Sequence, residues 1–196
     1  MAPEPAVPRW SLDAERVRHL LSVLDTRLRR RGIAASVYVV GGVAVALQVR
    51  PRRLTLDIDA VASDRVVYEE ADAMAAEEGL PPNWLNGAAQ PWVPPRPAAT
   101  LRGRKTPGLD VYVAPLEHLL AMKILAFRDR DIDDIEDLAA ALNLEDASAE
   151  KLRDLVETVY VDAELLATAI GGPAQEAASE LLLRCTKIAC LLRRDP

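Results

Sequence analysis

Residues Val37 to Val61 read V-Y-V-V-G-G-V-A-V-A-L-Q-V-R-P-R-R-L-T-L-D-I-D-A-V, and this stretch decides the fold. An apolar run that suits a buried strand leads into Gly41 and Gly42, and then into a short apolar segment of helical character. Glycines let the backbone approach a triphosphate closely, and the free N–H groups at a helix start favour anions. The pattern predicts a phosphate-binding corner or, alternatively, a plain strand–turn–helix corner without a ligand.

Two aspartates, Asp57 and Asp59, occupy alternate positions in the second apolar run of this stretch. On a strand they point to one face, about 6.6 Å apart along the backbone. The other face takes Leu56, Ile58 and Ala60. Carboxylates this close repel each other unless a cation lies between them, and a hard divalent ion such as Mg²⁺, shared with substrate phosphates, is the usual partner. The alternative, a solvated strand face, is weakened by the apolar neighbours of both aspartates.

Basic and hydroxyl side chains precede the aspartates. Arginines surround Pro51, and they either hold phosphates or form a basic turn. Arg53 is the strongest candidate for a phosphate contact because it leads directly into the aspartate strand. Thr55 lies two residues before Asp57 and shares its face, although a β-branched residue is also simply favoured in strands.

Further charged residues lie in the second half of the chain. Leu109 to Val113 is predicted as a strand with Asp110 on the face opposite to the alternate apolar residues. Lys123 lies within an apolar helix, where a lysine either extends to solvent or reaches a negative partner. Asp131 and Asp134 are three residues apart, hence on one helix face, within a charged run that is otherwise typical of a solvated surface.

In this order, the motifs resemble the nucleotidyltransferase superfamily related to DNA polymerase beta, and within it the AbiEii/MenT-type nucleotidyltransferase toxins. The resemblance extends from about Tyr38 to Leu138. The matching segments are Gly41-Gly42, Arg53-x-Thr55-x-Asp57-x-Asp59, Leu119-Leu120-Ala121-Met122-Lys123 and Arg130-Asp131-x-x-Asp134-Ile135.

The resemblance implies roles for particular residues. The catalytic set is Asp57, Asp59, Lys123 and Asp134. The nucleotide-binding set is Gly41, Gly42, Arg53, Thr55 and Asp131. The metal ligands are Asp57 and Asp59, with Asp110 as a third carboxylate or else as a solvent-facing residue. One or two Mg²⁺ ions, an NTP donor (CTP or UTP), the 3′ acceptor end of tRNA and a cognate antitoxin protein are the implied cofactor, substrates and partner.

Composition sets the outer limits of these expectations. The chain has 196 residues, half of them hydrophobic, so one sizeable core can form. The net charge of −6 argues against general polyanion binding, so contacts with nucleic acid must come from local basic patches. With no long apolar run and no secretory leader, we expect a cytoplasmic protein without a membrane partner, monomeric when free. Cys185 and Cys190 are predicted as buried free thiols.

The predicted fold class is α/β (α+β), with a polymerase-beta-like core, a small mixed sheet and a C-terminal helical bundle. Residues 1–10 are expected to form a flexible arm, 11–114 the nucleotidyltransferase core and 115–196 a helical region packed on it. The long connection 81–108 is predicted to be functional or disordered. In it, Trp84 and Trp92 either stack on bases or fix the loop, and the basic cluster 102–105 either clamps phosphate or is solvated.

Two rival functions stay open at this level. One is nucleotidylation of a small molecule, such as an aminoglycoside, or of a protein; the acidic net charge suits a cationic antibiotic, whereas the basic loops favour a polyanion. The other is a non-catalytic nucleotide-binding or antitoxin module, which predicts a broken Asp-x-Asp motif. The motif is intact at Asp57 and Asp59.

Overall fold

A computed structural model describes residues 10–51, 53–96 and 105–193. Within these limits the chain forms two compact units. The first contains the chain up to Ala88 together with Ala98–Val113, and the second contains Ala89–Pro97 together with Ala114–Pro196.

Eight helices lie in the described part of the chain. Those of the first unit are Ala14–Arg30 (α1), Gly41–Gln48 (α2) and Val66–Ala75 (α3). Those of the second unit are Leu116–Ala126 (α4), Ile132–Ala141 (α5), Ala149–Tyr160 (α6), Ala163–Ile170 (α7) and Ala174–Leu192 (α8). Short 3-10 turns cover Gln90–Trp92 and Asp129–Asp131. Over the described residues, none of the helices combines the length and the apolar character that crossing a membrane requires.

The sheet of the first unit is small and mixed, as the sequence predicts. Its strands are Ala34–Val39 (β1), Ile58–Ala62 (β2), Leu85–Asn86 (β3) and Gly108–Val113 (β4). Their spatial order is β3-β2-β1-β4. Strand β1 is antiparallel to β2 and parallel to β4, and β2 is parallel to β3. The buried apolar run predicted as the first strand is therefore the centre of the sheet.

Helix α1 packs an apolar stripe into the core. The buried residues of this stripe are Val17, Leu20, Leu21, Leu24 and Leu28. The N-cap of the helix is Asp13, whose carboxylate accepts the Arg16 N–H at 2.8 Å. The chain is still extended before that point, since Leu12 and Thr55 exchange backbone hydrogen bonds of 2.8 and 2.9 Å.

Arginines at the end of α1 pair with carboxylates of the same unit. Arg27 donates to Glu70 at 3.2 Å and to Glu77 at 3.1 Å, and Arg31 also binds Glu70. Arg29 donates to Asp25 at 2.7 Å, one helical turn earlier. Because Glu70 is largely buried, the cluster ties α1 to α3 rather than presenting a free basic surface.

Strand β2 begins later than the sequence predicts. The chain bends at Leu56 and Asp57, and Leu56 is half exposed. Regular pairing starts where the Ile58 N–H donates to the Trp84 carbonyl at 2.6 Å. The backbone before it pairs with the N-terminal segment instead, through Thr55 and Leu12. The prediction of a strand through Asp57 is therefore wrong, and correct from Ile58 onward.

The outer edge of β2 is completed by a side chain. Strand β3 pairs only with Ile58 and Asp59, which leaves the next residues without a neighbouring strand on that side. The hydroxyl of Tyr68, on α3, fills this position: it donates to the Ala60 carbonyl at 2.8 Å and accepts from the Ala62 N–H at 3.0 Å. One phenol therefore replaces two ladder hydrogen bonds of the strand that carries Asp59.

The cysteines of α8 differ in environment. Cys185 is a buried free thiol, as predicted, and burial raises its pKa to about 11. Cys190 is also a free thiol but is exposed, so the prediction that it is buried is wrong. Five residues along a helix turn the side chain by about 140°, which carries Cys190 away from the face that Cys185 buries.

We predict that Tyr68→Phe lowers the free energy of unfolding by about 1–3 kcal/mol, because the buried Ala60 carbonyl and the Ala62 N–H lose their shared partner. Urea denaturation measures this change. Thr26→Ala is the control: it removes an exposed hydroxyl that bonds the Ser22 carbonyl at 3.0 Å in the same unit. We expect it to change stability by less than about 0.5 kcal/mol. Equal effects of the two variants would contradict the assigned role of Tyr68.

Candidate active site at the strand–helix corner

The corner between β1 and α2 is fixed by its pairing with β2. The Val40 N–H donates to the Asp59 carbonyl at 2.9 Å, which places Asp59 opposite the residue that follows β1. The chain then turns at Gly41, whose φ is +66°, a value that L side chains rarely adopt. Helix α2 follows with no side-chain hydrogen bond from its N-cap residue, so the N–H groups of its first turn face the corner without a side-chain cap.

The carboxylate of Asp59 lies against Gly41. A Cβ atom on Gly41 would be 2.8 Å from Oδ2 of Asp59 and 3.3 Å from its Cβ, closer than carbon atoms normally approach. Glycine is therefore required at this position for its conformation and for the space that it leaves. This close approach puts an acidic oxygen of Asp59 at the start of α2.

The guanidinium of Arg53 lies against Gly42 in the same way. A Cβ atom on Gly42 would be 2.8 Å from Cζ of Arg53 and 2.9 Å from its Nη2. Consecutive glycines thus leave room for a carboxylate and for a guanidinium, side by side at one turn. A carboxylate is a ligand for a hard cation, and a guanidinium is a donor for phosphate oxygens.

Asp57 lies at the exposed side of this corner. It precedes β2, separated from Asp59 by the fully buried Ile58. The hydroxyl of Thr55 donates to the Asp57 carbonyl at 3.2 Å and holds the bend. Thr55 thus acts on the backbone here, and its predicted contact with a nucleotide stays a prediction.

The donor set of the corner fits Mg²⁺ better than it fits a metal held entirely by protein. Among the described residues, no three His, Cys, Asp or Glu side chains converge as a metal site. Mg²⁺ needs fewer, because it keeps several waters and is bound through one or two carboxylates together with substrate phosphates. Asp59 at the Gly41 turn is one such carboxylate, and a metal contact from the exposed Asp57 stays a prediction.

The register of the sheet separates Asp110 from this corner. On β4, Asp110 pairs with Ser36 of β1, whereas Asp59 is opposite Val40, four positions further along the same strand. Four strand residues span about 13 Å. The geometry therefore does not support Asp110 as the third ligand beside Asp59, because the two residues are offset by four positions along the strand direction.

The surroundings of Asp110 agree with the register. The pKa of Arg29 is raised above its ordinary value, chiefly by the hydrogen bond to Asp25 and to a smaller extent by the charge of Asp110. On the other face of β4, Leu109 is buried as predicted but Val111 is 40% exposed. The apolar face of β4 is therefore only partly buried.

Lys123 and two aspartates form a separate charged cluster within the second unit. The ammonium of Lys123 on α4 binds Asp131 and lies 2.8 Å from Oδ2 of Asp134. The side chains are 12%, 5% and 2% exposed, respectively. Of the two alternatives for Lys123, the negative partner is therefore the one observed. Two carboxylates around one ammonium leave the cluster with a formal charge of −1.

The chain path explains why this cluster forms. Helix α4 ends at Phe127 in the left-handed conformation, with φ of 40°. The 3-10 turn Asp129–Asp131 then brings the chain back, and α5 carries Asp134 on its buried side. The apolar residues around Lys123 are core residues of α4. Its role in a nucleotide site, like those of Asp131 and Asp134, stays a prediction.

Two aromatic residues that the sequence leaves open are now resolved in part. Trp84 is fully buried and its Nε1 donates to the Ala71 carbonyl at 2.8 Å, so it fixes the connection before β3 and is not a stacking surface. Trp92 is half exposed, and its carbonyl accepts a hydrogen bond from Tyr160 at 2.6 Å. Of the basic cluster 102–105, residues 102–104 lie outside the described residues and Lys105 is exposed.

The role of Tyr68 was not predicted from the sequence, because no local pattern marks a hydroxyl that completes a distant strand.

The fold and the corner define the class of protein. A mixed sheet flanked by helices, with a Gly-Gly turn facing an aspartate on the neighbouring strand, is consistent with a polymerase-beta-like nucleotidyltransferase core. A family model described as "Nucleotidyltransferase of unknown function (DUF6036)" matches residues 15–166. The chain belongs to this family. No curated protein and no solved structure matches the chain. The match supports the superfamily, and the closer relation to AbiEii/MenT-type toxins stays a prediction.

We predict that Gly41→Ala destabilises the protein by about 1–3 kcal/mol more than Gly32→Ala, as measured by urea denaturation. Gly32 also has positive φ, +70°, but a Cβ there would meet nothing within 4 Å. Both variants therefore carry the backbone strain of alanine, about 1–2 kcal/mol, and only Gly41→Ala also displaces Asp59. Equal losses would show that Asp59 does not occupy this space.

We predict that Lys123→Met lowers the free energy of unfolding by about 3–5 kcal/mol at neutral pH, because Asp131 and Asp134 stay buried and lose the ammonium that they share. Lys151→Met is the matched control, since Lys151 is exposed on α6 of the same unit. We expect it to cost less than about 0.5 kcal/mol. Thermal or urea unfolding of the two variants decides the point, and a small effect at Lys123 would mean that the cluster opens readily to solvent.

Proposed function

We propose that the protein is a Mg²⁺-dependent nucleotidyltransferase that uses the β1–α2 corner to bind the NTP. The observation that supports this most strongly is the pair of contacts at the Gly-Gly turn, Asp59 against Gly41 and Arg53 against Gly42. A carboxylate that can bind a cation, a guanidinium that can donate hydrogen bonds to phosphate, and helix N–H groups without a side-chain cap then lie together at one turn. This is the combination that a nucleoside triphosphate with its metal ion requires.

The reaction is in-line displacement at the α-phosphorus of the NTP. A hydroxyl oxygen of the acceptor forms a bond to this phosphorus, the bond to the oxygen that bridges to the β-phosphate breaks, and pyrophosphate and a proton are released. Bound Mg²⁺ neutralises charge on the attacking and leaving oxygens. Asp57 and Asp59 hold the metal in the proposal, Arg53 orients the phosphates, and Gly41 and Gly42 let them approach the backbone.

For the acceptor, we propose the 3′ end of tRNA, with CTP or UTP as donor. The support is the resemblance to the AbiEii/MenT-type toxins over the motifs from Gly41 to Asp134. Addition of nucleotides to that end blocks aminoacylation and hence translation. A protein with this activity needs an antitoxin, so the proposal includes a cognate partner protein.

The test is transfer of label from each NTP, radioactive at the α-phosphate, to total tRNA in the presence of Mg²⁺. We expect label on tRNA with the wild-type protein and a preference for CTP or UTP. Asp59→Asn and Asp57→Asn should each lower the rate by at least about 100-fold, because charge neutralisation by the metal contributes several kcal/mol. Removal of Mg²⁺ by a chelator should abolish transfer, and its return should restore it.

Asp146→Asn is the control for charge alone. Asp146 is exposed in the second unit. We expect its replacement by asparagine to leave the rate of transfer unchanged. Label on the protein itself, or on an added aminoglycoside, with none on tRNA would overturn the choice of acceptor while retaining the reaction. No label on any acceptor with any NTP would overturn the proposed activity.

A further inference from the structure

The two chain neighbours of Asp59 are held by hydrogen bonds on the outer edge of β2. The Ile58 N–H donates to the Trp84 carbonyl at 2.6 Å, and the Ala60 carbonyl accepts from the Tyr68 hydroxyl at 2.8 Å. The carbonyl of Asp59 itself accepts a hydrogen bond from the opposite side, at the end of β1. The backbone that carries this carboxylate is therefore fixed from both edges of the strand.

Helix α3 supports both of the outer contacts. Tyr68 and Ala71 are three residues apart, so they lie on one face of the helix. The Ala71 carbonyl accepts the indole N–H of the buried Trp84 at 2.8 Å, and the backbone of the same tryptophan binds β2. The support of β2 at Asp59 thus comes from one helix face, directly through a phenol and indirectly through an indole.

The Tyr68 hydroxyl reaches β2 because Gly87 leaves room for it. A Cβ atom on Gly87 would be 2.8 Å from Oη of Tyr68 and 3.3 Å from its Cζ. Gly87 directly follows β3, and its φ lies outside the left-handed region, so space rather than backbone conformation favours glycine there. Alanine at this position would displace the hydroxyl from the Ala60 carbonyl without any chemical change to Tyr68.

We propose that Tyr68 is a positioning residue for nucleotidyl transfer, because it holds the strand segment that presents the Asp59 carboxylate at the Gly41 turn. The inference rests on the proposed function and adds to it a residue that acts through Asp59 rather than on the nucleotide. Loss of a group that orients a metal ligand typically lowers metal affinity or activity by about 10- to 100-fold. A shift of β2 moves the carboxylate relative to the first turn of α2, where the metal is proposed to bind.

Binding of Mn²⁺, a paramagnetic substitute for Mg²⁺, tests the proposal by electron paramagnetic resonance with the full chain, under conditions in which urea denaturation shows each variant to be folded. We expect Tyr68→Phe to raise the Kd for Mn²⁺ roughly 10-fold. Gly87→Ala retains the hydroxyl but displaces it, and it should raise the Kd as well. In the transfer assay, both variants should need more Mg²⁺ for half-maximal rate.

Tyr160→Phe is the matched control. It also removes the hydroxyl of a buried tyrosine that donates to a backbone carbonyl, that of Trp92 at 2.6 Å, but both residues belong to the second unit. We expect it to leave the Kd for Mn²⁺ and the Mg²⁺ dependence of transfer unchanged. An equal rise in Kd for Tyr160→Phe would overturn the inference, because a general loss of stability would then explain the result for Tyr68.

A less stable Tyr68→Phe protein with an unchanged Kd for Mn²⁺ would also overturn the inference, since Tyr68 would then only stabilise the fold. If the wild-type protein transfers label to tRNA at the same time, the proposed function stays intact. Binding of Mn²⁺ that depends on Tyr68, in a protein that transfers no label to any acceptor, would do the reverse: it would overturn the proposed function and retain the positioning of Asp59. Absence of Mn²⁺ binding by the wild-type protein would overturn the inference, because no metal ligand would then be positioned.

Discussion

The first unit depends on the close approach of two charged side chains to the Gly41-Gly42 turn, whose residues have no side chains. The Val40–Asp59 hydrogen bond sets the register of β1 against β2, and this register brings the Asp59 carboxylate to Gly41. Arg53 takes the equivalent space at Gly42. Any larger residue at either glycine competes with a charged group for the same volume. The Gly-Gly pair is therefore a packing requirement as well as a conformational one.

The strand that presents Asp59 is supported from outside the sheet by aromatic side chains. Tyr68 satisfies the Ala60 carbonyl and the Ala62 N–H, while buried Trp84 anchors the segment that begins β3. A two-residue edge strand by itself gives little support, because it pairs with only the first residues of β2. Polar groups of α3 and its neighbours thus replace a longer strand, and they fix the position of the strand that carries Asp59.

Several charged residues in the described part of the chain pair with one another inside the protein. Arg27 and Arg31 hold the buried Glu70, and Lys123 holds Asp131 and Asp134. Removing charge pairs from solvent costs desolvation energy, so such clusters specify an arrangement more than they add stability. A sequence pattern does not distinguish internally paired charges from charges that are available to a ligand. A charged run has the same pattern whether its partner is solvent, another side chain or a phosphate.

The sequence by itself determined the nucleotidyltransferase superfamily, the mixed sheet, the apolar stripe of α1 and the Gly-Gly corner, because each depends on local order and periodicity. It failed where distant segments decide the outcome. Pairing of Thr55 with Leu12 delays β2 to Ile58, and the β1–β4 register, which no spacing within one strand reveals, moves Asp110 away from Asp59. Only the tertiary structure decided that Lys123 is paired and that Trp84 is buried. Those facts depend on contacts between residues far apart in the chain, and the energy of such contacts is set by packing and register rather than by the identity of the neighbours in sequence.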